Sequence, residues 1–340
     1  MNKRNTVKFL SLLPLFSSAT AWSQVVSDSK NKNKTKLVQK NVIFGLITPR
    51  NAEQTLKSWN PFLERMSKAI GQTFEAKTFE KAGDLVNDFK NGAIDYAWLG
   101  NVPAIELVEA RVGGVFGQLV VNGKFAYRSL LITHRGSQIR NLEDILASNK
   151  KYVFGDGDIK STSGHVVPRY YAFAKKGVND LDAMFKDIKR GSHIDNLNRV
   201  VSKEVDFATN NTTELGLFAA ANPALAKEIR VVWESPDIPE SPLVWRLAVP
   251  KELRKKVQNF MVSFGKNEDE RLILKQMNDL TAFRRSSNSQ LINVADIEGF
   301  NARQRLINDP SLTAEERASK IDAVIQRGSR LEFLLKQSTL

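Results

Sequence analysis

The chain has 340 residues, 42% of them hydrophobic and 26% charged, which suits about two folded domains and excludes wholesale disorder. Its formal charge is +13, but the basic residues are dispersed and no basic motif is interleaved with aromatics, so nucleic acid is not an expected partner. There is no cysteine, which excludes disulfide staples, a thiol nucleophile and a lipid anchor on an N-terminal cysteine.

Residues 1–23 read as an export signal. Lys3, Arg4 and Lys8 precede a short apolar run at 9–16 (FLSLLPLF), and small residues allow cleavage near Ala21 or Ser23. The run falls well short of the roughly 20 apolar residues that a membrane-spanning helix needs. The expected address is therefore the periplasm. Residues 24–40, with SKNKNKTKLVQK at their end, read as a basic, solvated linker.

The folded region begins with VIFGLI at 42–47, a buried-strand pattern that ends at Thr48-Pro49. Trp59, Phe62, Leu63, Met66 and Ile70 follow at helical spacing, and Gly71 stops them. Strands are predicted at 74–79 and 95–99, with a helix at 83–91 between them. SLLITHR at 129–135 reads as a strand crossing to a second region. That region continues with a capped helix at 141–147, a strand at 152–156, a helix at 161–176 and a strand at 205–209. Residues 230–249 hold two apolar strands around a proline-rich bend, suited to a return crossing, and from Lys251 the pattern looks helical.

Alternating strands and helices predict an α/β fold with mixed sheets flanked by helices. Two crossings around an inserted region make it a two-lobed clamshell, with the ligand between the lobes at the strand C-termini. The division expected is lobe 1 at 41–130 plus 247–285, lobe 2 at 131–246 with the hinge crossovers, and a helical C-terminal extension at 286–340.

The segment most suited to chemistry is Gly155-Asp156-Gly157-Asp158-Ile159-Lys160-Ser161-Thr162-Ser163-Gly164-His165. A strand precedes it and a helix follows, so hydroxyls and free N–H groups meet at a positive helix end that favours an anion. The same residues also read as plain N-capping by Ser161, with Thr162 and Ser163 tolerated in the first turn. His193, in Arg190-Gly191-Ser192-His193, is a donor to an anion or an ordinary satisfied histidine; His165 carries the same two readings. With His134 these complete the three histidines, which lack metal-ligand spacing, so neither a metal nor a cofactor is expected. No G-x-S-x-G elbow is present, and Ser161 with His193 lacks an orienting acid, so no enzyme is expected.

The run from Asp156 to Gly164, followed by Val167-Pro168, resembles the anion-binding turn of the PhnD-type phosphonate-binding subunits of ABC transporters. The residues IDYAWLGN at 94–101, VDFATNNT at 205–212, SPDIP at 235–239 and PLVWR at 242–246 match the same family in order. The resemblance implies a type II periplasmic-binding fold that closes around phosphonate oxygens without catalysis. It also implies an inner-membrane ABC permease as partner and allows a homodimer through the C-terminal helices. A periplasmic protein that reports to a membrane sensor is the alternative.

By position, Ser161, Thr162 and Ser163 are implied to grip the oxygens, with His193 as a further donor. Members specialised for 2-aminoethylphosphonate use two tyrosines for the head and two carboxylates for the ammonium tail. Here Lys81 and Leu99 stand at the tyrosine positions, and Thr213 and Ser241 at the carboxylate positions, with Glu214 one residue along. Lys81 reads as a solvated lysine or as added charge for an anion. Loss of both carboxylates would leave an ammonium without counter-charge. A phosphonate or related small oxyanion without a cationic tail is therefore the expected ligand.

Overall fold

A computed structural model describes residues 41–48 and 51–337, so the signal and linker readings for residues 1–40 lie outside the described residues. The chain opens with β1 (Val42–Ile47), α1 (Ala52–Ile70), β2 (Phe74–Phe79), α2 (Ala82–Lys90), β3 (Tyr96–Trp98), α3 (Asn101–Glu109) and β4 (Gly113–Val121). Asn51 caps α1 by accepting from the Gln54 N–H at 3.1 Å, and Gly71 ends it in the left-handed region at φ 76°. β1 lies between β2 and β3, parallel to both, as helix-connected crossovers require.

A short hinge strand, β5 (Ala126–Tyr127), leads into a second sheet. That part of the chain comprises β6 (Ser129–His134), α4 (Leu142–Leu146), β7 (Val153–Gly157), α5 (Leu181–Met184), β8 (Asp187–Gly191), α6 (His193–Val201), β9 (Phe207–Asn211), α7 (Thr212–Ala221), α8 (Pro223–Ala226) and β10 (Ile229–Glu234). Its sheet order is β10-β6-β9-β7-β8, with β7 parallel to both β8 and β9. The helix expected at 161–176 forms with two wide π-helical turns, Thr162–Val166 and Arg169–Phe173.

The chain returns through β11 (Ile238–Pro239), antiparallel to β5, and then β12 (Pro242–Arg246), α9 (Lys251–Ser263), α10 (Glu268–Gln276) and β13 (Leu280–Arg285). The first sheet is ordered β13-β4-β12-β3-β1-β2. The sequence division carried the second lobe to residue 246, whereas β12 is an interior strand of the first sheet. The reason is its two-sided burial: Leu243 and Trp245 enter one apolar cluster and Val244 the other. β13 falls where only helix was expected. It is an edge strand with Thr281, Arg284 and Arg285 exposed, so its apolar signal is weak.

The last two helices are α11 (Ile292–Ile307) and α12 (Ala314–Lys336). Leu291, Val294, Ile297, Leu331 and Leu335 share a core with α2, α3 and, from the second lobe, Val166 and Val167. Arg327 of α12 pairs with Glu109 of α3 at 2.6 Å and with Glu298 of α11 at 3.4 Å. The buried face of the hairpin thus packs on this chain. Leu331 is 3% exposed, so Leu331→Ala should lower unfolding stability by about 2–5 kcal/mol. Urea denaturation checks this, and a loss below about 1 kcal/mol would mark the hairpin as detachable.

Candidate anion-binding cleft

Among the helical segments that start where a strand stops are α3 after β3, the segment from Thr162 after β7, α6 after β8, and α7 after β9. The β3 end belongs to the first sheet and the other three to the second. Helix N-termini carry unpaired N–H groups and partial positive charge, so strand ends of this kind are natural anion sites.

Ser161 caps its own helix: its Oγ accepts from the Gly164 N–H at 3.0 Å. The Thr162 hydroxyl instead accepts from the Val102 N–H of α3 at 3.2 Å, which joins the two lobes. Beside it, Lys160 of the second lobe pairs with Glu106 of α3 at 2.9 Å. The Ser163 Oγ lies 3.1 Å from the His193 Nε2 and accepts from the Asn211 Nδ2 at 3.2 Å. Its backbone carbonyl accepts from the Ser129 hydroxyl at 2.6 Å. The histidine therefore meets Ser163, not the Ser161 considered as a nucleophile partner.

The turn owes its tightness to glycine. A Cβ on Gly157 would fall 2.6 Å from the Gly164 backbone, so only a bare backbone fits there. Tyr127, from the hinge strand, hydrogen-bonds the Ser163 side chain. Burial pushes its phenol up, and Glu240 and Glu214 push it further against the opposing Ser163 bond.

The remaining expected residues divide. Lys81 is the exposed residue ahead of α2, and a Cβ on nearby Gly83 would sit 4.0 Å from the Lys160 Nζ, at the rim between the lobes. Leu99 is fully buried in the apolar core and offers no polar group. Thr213 and Ser241 do meet, through a residue that position-by-position reading passed over. The Thr213 hydroxyl donates to Glu240 Oε1 at 3.2 Å, and the Ser241 N–H donates to Glu240 Oε2 at 3.1 Å.

Glu240 is only 5% exposed. Burial raises its carboxyl above the usual range, partly opposed by the Ser241 and Thr213 bonds, while Glu214 adds to the rise. Tyr127, Asn211 and Glu240 went unpredicted. The Asn210-Asn211 pair ahead of a helix was the one usable signal for Asn211.

Residues 44–291, more than half the chain, match the family described as ABC transporter, phosphonate, periplasmic substrate-binding protein. The phosphonates-binding periplasmic protein of Escherichia coli K12 is 33% identical over 306 residues, spanning 90% of this chain and 88% of that protein. The crystal structure of a binding-protein component of an ABC phosphonate transporter from Pseudomonas aeruginosa is 35% identical, with TM-score 0.78. That match covers 87% of this chain and 97% of the other. PhnD1 of Prochlorococcus marinus, solved with methylphosphonate, shares the fold at TM-score 0.68 and 19% identity, over 76% of this chain and 97% of its own. These neighbours share the expected two-lobed type II architecture.

Because Glu240 is raised in the folded protein, folding takes up its proton preferentially, and stability falls as pH rises through that raised value. Glu240→Gln removes the titration. The melting temperature of this variant relative to the wild type should therefore climb as pH rises above the ordinary carboxyl value. A difference that stays flat over the scan would show that Glu240 is not strained by burial.

Proposed function

Because this chain belongs to the periplasmic phosphonate-binding family of ABC-transporter components, we propose that it is an importer's solute-binding subunit that holds a phosphonate dianion between its lobes. The observation that carries the reading is the convergence of Ser163, His193 and Asn211 within 3.2 Å at the helix N-termini. Hydroxyls of Ser161, Thr162 and Ser163 and the His193 ring donate to the oxygens, and the protein binds without catalysis. Charged groups gain most from such preorganised donors where water is excluded.

The paired hinge strands β5 and β11 carry the closing motion, and the contacts from Thr162 to Val102 and from Lys160 to Glu106 belong to the closed form. The closed protein then presents its cargo to a permease in the inner membrane. The export signal, cleaved near Ser23, brings it to the periplasm.

The expectation of a ligand without a cationic tail rested on the uncharged side chains at 213 and 241. Glu240, held by those same two residues and flanked by Glu214, supports the opposite assignment. A buried carboxylate here supplies counter-charge that an ammonium needs and a methyl group wastes. The tail side therefore admits an amino-substituted phosphonate.

Calorimetry with 2-aminoethylphosphonate, methylphosphonate, phosphite, phosphate and a carboxylated phosphonate tests both parts. Phosphonates should bind more tightly than phosphate. His193→Ala or Ser163→Ala should weaken every phosphonate about 10- to 100-fold, the scale of a lost bond to a charged group. Glu240→Gln should weaken the amino compound more than methylphosphonate. Indifference to the His193 and Ser163 changes would overturn the grip. Equal effects of Glu240→Gln on the two phosphonates would return the tail to the uncharged assignment.

A further inference from the structure

Against the back of the gripping turn lies an ion-paired cluster that makes none of the contacts described above. Asp156, next to last in β7, is 0% exposed. Its Oδ1 accepts from the Gly157 N–H at 3.0 Å. Its Oδ2 lies 3.0 Å from the His165 Nδ1 and accepts from an Arg169 Nη2 at 2.7 Å, with the Arg190 Nε of β8 at 3.8 Å. The Arg169 Nε donates to the same His165 nitrogen at 3.2 Å.

His165 and Arg169 sit on the two π-helical turns, and Gly157 is packed on Gly164. The carboxylate thus ties the end of the strand to both wide turns of the helix. From the far side, the Asn301 Nδ2 of α11 donates to the Val166 carbonyl at 2.8 Å. Burial works to raise Asp156, but the bonds and charges of His165 and Arg169 outweigh it and hold the carboxyl below its usual range.

We propose that Asp156 is the positioning residue of the anion grip: through His165 and Arg169 it sets the π-helical turn that presents Ser161, Thr162, Ser163 and their N–H groups. This rests on the phosphonate-cleft reading. The geometry separates positioning from simple charge. A carboxylate buried close behind an anion site repels the anion, so neutralising it should tighten binding if only its field matters. If instead it holds the turn, neutralising it loosens the donors, and binding weakens.

The test compares wild type with Asp156→Asn, measuring methylphosphonate affinity by calorimetry and the backbone amide shifts of Thr162, Ser163 and Gly164 by NMR without ligand. The inference expects affinity to fall about 10-fold or more, the scale on which loss of an orienting outer partner acts. Those three amides should shift as well. Unchanged or tighter binding with unmoved amides overturns it.

Should circular dichroism show that Asp156→Asn fails to fold, Arg169→Met keeps the carboxylate with His165 and Gly157. That variant should lose affinity in the same direction, and Arg169→Lys should recover part of the loss. An Arg169→Met protein that binds like wild type overturns the inference too. A wild type that binds none of the oxyanions overturns the functional reading and this inference together. A wild type that binds, matched by Asp156→Asn, overturns this inference alone.

Discussion

Parallel strand pairing is the constraint from which the cleft follows. A strand that must be parallel to its neighbour returns through a helix, and that helix starts at the strand's C-terminal edge. This rule applies at β7 and β8 in the second sheet and at β1 and β2 in the first, while at β3 and β9 the outgoing helix leads to a strand of the same direction one place further along the sheet. The positive ends of these helical segments are therefore assembled by topology before any side chain is specified. Ser163, His193 and Asn211 then add directed hydrogen-bonding groups to a region already favourable for negative charge.

The cleft is nevertheless surrounded by carboxylates, and each is matched to something. Glu106 is engaged by Lys160 across the lobes, and Asp156 by His165 and Arg169 behind the turn. Glu240 is the exception in kind. Its partners, Thr213 and the Ser241 N–H, are neutral, and burial holds its carboxyl high. An acid group kept so close to an anion grip, without a basic partner among its direct hydrogen bonds, is physically informative: it distinguishes one end of the cleft from the other.

The C-terminal helices supply a second restraint. Leu331 and Leu335 close the core over α3, while Asn301 reaches the helix that carries the grip. The hairpin thus touches both lobes. A motion that separates the lobes would require α11 either to follow the second lobe or to release the Val166 carbonyl.

The form of the candidate turn was readable from local chemistry. Small residues between a strand and a helix, from Gly155 to Gly164, are demanded by backbone contact as close as that of Gly157 on Gly164, and such a demand is written into residue type. The strand at 42–47 was equally plain, because burial on both faces leaves an apolar run. β13 left little trace since an edge strand keeps a polar face. The strand at 242–246 was visible, but which sheet it joined depended on partners far away in the chain. The same holds for Glu240: reading positions 213 and 241 separately found no charge, yet folding brings both onto one carboxylate. Residue type alone determined that a tight turn of small residues joins a strand to a helix here. Only the tertiary structure decided what stands behind it and which carboxylate Thr213 and Ser241 share, because those neighbours are set by contacts between distant segments and by no local spacing.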